Sequence, residues 1–184
     1  TGDKDKIISI DQWGTSIWYS MEKAFTGCTN LESTETDAPN LSNVTDMSSM
    51  FYQATSFNGD ISNWDVSNVT DMSLMFKNAA AFNQNLSSWN VSNVTTMTSM
   101  FWNASTFNGD ISSWDVSNLT DMTKMFYQAT AFNQNLSSWD VSIVTNMSYM
   151  FNNATAFNQN LSSWDVSKVT DMTDMFFGAT LSTA

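Results

Sequence analysis

Five positions at one fixed spacing, Asp65, Asn90, Asp115, Asp140 and Asp165, set an acid or its amide between a Trp and a Val. Ser or Asn lies two residues before each (Asn63, Ser88, Ser113, Ser138, Ser163), and Ser two residues after (Ser67, Ser92, Ser117, Ser142, Ser167). Oxygens of this kind can hold a hard cation, or accept hydrogen bonds from a basic or hydroxyl-rich ligand. If the five stack on one face, like charges at strand spacing repel, and a cation or cationic ligand would relieve them. The competing reading is a solvated polar face that keeps a sheet from aggregating. A second group is aromatic: Tyr52, Trp102, Tyr127 and Tyr149 fall in the columns where the copies differ most. Exposed rings of this kind can stack on sugars or fill pockets of a protein partner.

These residues do not make a catalytic set. The chain has no His and no Arg, so its many Ser lack a base to activate them. Repeated identical Asp residues give no pair whose environments push their pKa values apart. The single Cys28 falls in a core slot with only Lys23 near it in sequence, which reads as packing and not as a reactive thiol. The chain therefore reads as non-enzymatic. It specifies no cofactor, and calcium at the carboxylate stripe has no EF-hand or D-x-D-G loop to support it.

What must position these side chains is a repeat. The stretch Val69–Asn93, VTDMSLMFKNAAAFNQNLSSWNVSN, recurs from Val44 onward with every landmark in register. Val44, Met47, Met50-Phe51, Ala54, Phe57-Asn58, Trp64 and Val66 each return at the same interval, the one that separates Val44 from Val69. A period of this length marks stacked units, none of which buries its apolar face alone. Residues 44–184 hold six such units, the last truncated. Residues 7–43 form a degenerate first unit, in which Pro39 replaces a Trp and the loop is one residue longer. Residues 1–6 are a polar lead-in. Apolar residues at 44, 47, 50, 51 and 54 match one face of a helix near 46–54, with Thr45 as its N-cap and Asp46 at the positive end of its dipole. Ile61, Trp64 and Val66 then give a short strand near 63–67, pairing in parallel with the next unit. The Asn column, Asn58 to Asn158, is expected to tie neighbouring units through their backbones.

Composition excludes several partners. Net charge is −12 from 18 acidic and six basic residues, which opposes nucleic acid and anionic membrane surfaces. No apolar run is long enough to span a bilayer. A hydrophobic content of 42% nonetheless suffices for a core.

The rhythm L-x-x-W-x-V-x-x-V-x-x-M-x-x-M-F-x-x-A-x-x-F resembles the leucine-rich repeats of BspA-like bacterial surface proteins, and the 25/26-residue bacterial surface protein repeat in particular. The segment Ser20–Leu31, SMEKAFTGCTNL, is similar to the A-F-x-x-C-x-x-L unit of that class. The resemblance runs from about Ile7 to Thr180. It implies an α/β repeat, a right-handed solenoid with short parallel strands on one side and short helices on the other. It also implies an extracellular or cell-surface module, part of a larger polypeptide, that binds protein or glycan. Alternatives are a spacer within a surface protein and, on the strength of the Thr column, ice binding. The chain ending soon after the last expected helix suggests a parent protein that continues beyond it.

Overall fold

The structure, a computed structural model, describes residues 3–33 and 37–180. Successive repeat units lie against one another, equivalent side chains in contact. They are not built from helices and strands as expected. Among the described residues there is no α-helix; a four-residue 3-10 turn, Asp3–Lys6, is the only helical element. The only strands among them are β1 (Ser9–Ile10) and β2 (Glu32–Ser33), two residues each, paired in parallel. The expected α/β solenoid of helices facing a parallel sheet is therefore wrong for this chain.

The correction has a local cause. In the segment expected to be helical, alternate N–H groups point in different directions. Met50, Tyr52 and Ala54 donate to the carbonyls of Met47, Ser49 and Phe51, three residues back. Met47, Ser49, Phe51 and Gln53 donate instead to Asp71, Ser73, Met75 and Lys77 of the next unit, at 2.8–2.9 Å. Half of the amides thus close turns, and half form a parallel ladder between units. A helix would use all of them internally, four residues back. Ser49 and Gln53 have φ of 56° and 60°, the left-handed value that type II turns demand at their third residue. The same two positions are left-handed in the next four units, with Asp174 and Gly178 in the last. An α-helix cannot pass through such residues.

The rest of each unit is further turns of the same step. Phe57, Trp64 and Val69 donate to the carbonyls of Ala54, Ile61 and Val66. Each turn returns an apolar residue to the inside, so the three-residue spacing reports turns and not a helical face. The segment expected to be a strand, near 63–67, is made of these turns. The parallel pairing falls on the other side, with bridges Asp46↔Asp71, Asp71↔Thr96, Asp121↔Asn146 and Asn146↔Asp171.

The interior is one continuous cluster. Phe51 and Phe57 stack at 3.9 Å within a unit; Phe51 meets Phe76 at 5.7 Å and Phe57 meets Phe82 at 5.9 Å between units. Each such ring, fully buried, contributes about 1.5–3 kcal/mol. Trp89, Trp114 and Trp139 form a parallel file at 6.4 Å. The indole N–H groups of Trp89, Trp114 and Trp164 donate to the carbonyls of Ile61, Leu86 and Leu136 at 2.9 Å, so the buried polar end of each ring is satisfied. Cys28 is buried in the slot that the repeat alignment gives it, and burial pushes its thiol pKa up.

Candidate ligand-binding surface

The carboxylate stripe and the aromatic columns fare differently. Asp65, Asn90, Asp115, Asp140 and Asp165 are exposed, but they do not project from a strand. Each turns its Oδ1 back to accept the N–H of the Ser two residues on, at 3.0–3.2 Å. These are Asx turns, the local structure that an acid or amide side chain makes with its own backbone. The neighbouring polar residues are occupied as well. Ser88, Ser113, Ser138 and Ser163 donate their hydroxyls to carbonyls of the preceding unit, as do the Asn93 and Asn118 amides. Two further Asx positions per unit repeat the device: Asp60, Asn85, Asp110, Asn135 and Asn160, and Asp46, Asp71, Asp121, Asn146 and Asp171.

These hydrogen bonds account for the acidity of the carboxyls. The Ser62, Ser67 and Ser142 hydroxyls and N–H groups hold Asp60, Asp65 and Asp140 below the ordinary value of 3.8. For Asp110 and Asp165 the larger cause is the backbone N–H, of Ser112 and Ser167. Among the described residues, no three of His, Cys, Asp or Glu are gathered where they could hold a metal ion. Within the stripe these side chains form turns.

The Asn column does tie units together. Asn58 Oδ1 accepts the Asn83 N–H at 2.8 Å, and Asn83, Asn108 and Asn133 repeat the bond to Asn108, Asn133 and Asn158. Thr45 caps no helix; its carbonyl accepts the Thr70 hydroxyl and N–H, and the Thr column forms a second tie between units.

Tyr52, Trp102, Tyr127 and Tyr149 are half-buried, and the structure gathers them into one file along the stack, on the ladder side of the units. Trp102 meets Tyr127 edge-on at 5.1 Å, and Tyr127 meets Tyr149 edge-on at 6.4 Å. Two lysines are interleaved with them. Lys77 Nζ lies 3.5 Å from the centre of the Trp102 ring and 5.6 Å from that of Tyr52. Lys124 Nζ lies 5.1 Å from Trp102 and 5.4 Å from Tyr149. Burial, and then the charge of Lys124, push the Lys77 pKa down. The two salt bridges among the described residues, Lys6–Asp3 and Lys23–Glu22, are elsewhere, so neither ammonium of the file has an acidic partner there. Sequence reading singled out the four aromatics and missed Lys77 and Lys124. The signal was present, because both occupy the same two variable columns.

No helix of the described residues is long and apolar enough to cross a membrane. Compared with known proteins, the chain matches the family described as "Mycoplasma protein of unknown function, DUF285" over residues 19–132 and again over 109–183. That family is a surface-type repeat family related to the BspA-like repeat proteins. No curated protein and no solved structure matches the chain.

Proposed function

The chain belongs to the family described as Mycoplasma protein of unknown function, DUF285, and from that premise we propose that it is a non-enzymatic binding module of an extracellular surface protein. Its ligand is a glycan, held along the file from Tyr52 to Tyr149. One observation carries this reading: two lysines without acidic partners among the described residues face the rings of columns that vary between otherwise uniform units. The invariant columns are spent on core and inter-unit bonds. The varied ones are free to encode a partner. Tyr hydroxyls and Lys ammonium groups are donors suited to sugar oxygens, and the ring edges supply apolar contact. A sugar bearing a carboxylate or sulfate would also relieve the Lys77–Lys124 repulsion. With the whole chain at −12, one acidic group fits better than a polyanion.

Titration against immobilised neutral and acidic oligosaccharides tests this. Trp102→Ala is expected to cost at least about 2 kcal/mol of binding, as for the central residue of an interface. Asp115→Ala, on another side of the unit, should leave affinity unchanged. Binding that survives Trp102→Ala, Lys77→Ala and Lys124→Ala together would exclude the file.

A further inference from the structure

A second column runs beside the aromatic file. The residue after each position of the Tyr52 column is Gln53, Asn78, Asn103, Gln128 or Asn153, a carboxamide in every unit that the file crosses. All five have left-handed φ, between 56° and 62°. That backbone accounts for Asn, whose short side chain visits it, but not for Gln. The Gln53 and Gln128 side chains make no hydrogen bond among the described residues, so no local contact calls for them either. What the five positions share is the amide group itself, which brings both donors and an acceptor to each unit.

The ladder keeps these groups in register. The N–H groups of Gln53, Asn78, Asn103 and Gln128 donate to the carbonyls of Lys77, Trp102, Tyr127 and Asn152 at 2.7–2.8 Å. The Asn103 side chain donates to the Asn78 carboxamide oxygen at 3.0 Å, so the column is in contact from unit to unit. None of the five is buried, and Asn103 is fully exposed. Rungs of a parallel ladder advance about 4.8 Å. In an extended chain, a pyranose ring with its bridging oxygen advances by close to the same step. A peptide strand advances about 3.3 Å per residue and falls out of phase with the units. Each sugar in this register meets one carboxamide and one side chain of the varied columns. Its hydroxyls, which both donate and accept, suit an amide better than a group of one kind.

Resting on the glycan reading above, we propose that the ligand is a linear chain of β-1,4-linked pyranoses lying along the stack, one sugar to each unit, with the carboxamides of Gln53, Asn78, Asn103, Gln128 and Asn153 hydrogen-bonding its hydroxyls. An acidic sugar, where the chain carries one, falls opposite Trp102, on which Lys77 and Lys124 converge.

Calorimetric titration of the full chain tests this, with β-1,4-linked oligomers of glucose and of N-acetylglucosamine, neutral or bearing one glucuronic acid, in series of increasing length. Affinity should rise with each added sugar until the oligomer matches the column, at about five sugars, and then level off. Gln53→Ala and Gln128→Ala should each lower the affinity of the longest oligomer about two- to tenfold, as for one hydrogen bond. Tyr52→Ala with Gln53→Ala, which empties the end unit, should bring the plateau one sugar earlier. Circular dichroism checks that each variant keeps its fold. Affinity that does not depend on length, or a plateau that the end-unit variant leaves in place, would overturn the proposal while the glycan reading stands. Failure of every series, neutral and acidic, to bind would overturn both.

Discussion

At the scale of single residues, the molecule is held by side chains that each close one bond, repeated from unit to unit. Trp114 shows the size of the effect. Its ring is buried between Trp89 and Trp139, and its indole N–H reaches the Leu86 carbonyl. Trp114→Ala should cost about 3–5 kcal/mol in denaturant unfolding, for the cavity and the orphaned carbonyl together. The aspartates give a pH signature. Asp60, Asp65, Asp110 and Asp140 have pKa values below 3.8, so their hydrogen bonds stabilise the fold above that value and the stabilisation is lost as pH falls through the depressed values. Asn85, Asn90, Asn135 and Asn160 make the same turns without titrating. Replacing Asp65, Asp110 and Asp140 by Asn should therefore flatten the fall in melting temperature as pH drops below 3.8, while leaving it little changed at neutral pH. An equally steep acid transition in the triple variant would remove these carboxylates as its cause. At this scale the sequence was half legible. The Asn ladder and the core slot of Cys28 could be read from their columns. The role of Asp65 and its equivalents could not, because an acid two residues before a Ser suits an exposed strand stripe and an Asx turn equally well.

At the scale of the element, the lesson lies in the spacing of Val44, Met47, Met50, Phe51 and Ala54. Steps of three and four fit a helical face, and they fit successive turns as well. What decides between them is the backbone at Ser49 and Gln53, whose left-handed φ is announced by glycine only in the first and last units, where Gly27 and Gly178 take the place of Gln53. In the units between, the Asn at 78, 103 and 153 was a further hint, since Asn tolerates that conformation better than other residues with a side chain. Two positions test the turn-and-ladder element. Thr96 stands where other units have Asp or Asn, it makes no Asx turn, and the rung from the Met97 N–H to the Asp121 carbonyl is missing beside it. Thr96→Asn should restore the turn and raise stability by about 0.5–1 kcal/mol in urea unfolding. Gly109 faces the Gln84 carbonyl, whose oxygen would lie 1.9 Å from an added Cβ. Gly109→Ala must push two units apart, and should cost about 1–3 kcal/mol by the same measurement. A neutral Gly109→Ala would mean that neighbouring units are not in this register.

At the scale of the whole molecule, the repeat was the most legible feature and the helices the least. A constant period fixes which side chains lie over one another, whatever path the backbone takes between them. Every stacked file in the structure, the two of Phe and those of Trp, Asn and Thr, follows from that period alone. The path itself depends on where the amides point, and side-chain pattern does not record this. The resemblance to BspA-like surface repeat proteins carried the family relation, and the leucine-rich-repeat path of strand and helix that it implied failed. The surface consequences follow from the stack. Uniform columns make the body, and varied columns make the aromatic and lysine file.

Scalar couplings across hydrogen bonds, measured by NMR on labelled protein, test the central claim most directly, because they report which carbonyl each amide meets. The amides of Leu74, Phe76 and Asn78 should couple to the carbonyls of Thr98, Met100 and Trp102 in the next unit. Coupling instead to the carbonyls of Thr70, Met72 and Leu74, four residues back in their own unit, would restore the helix and contradict the ladder.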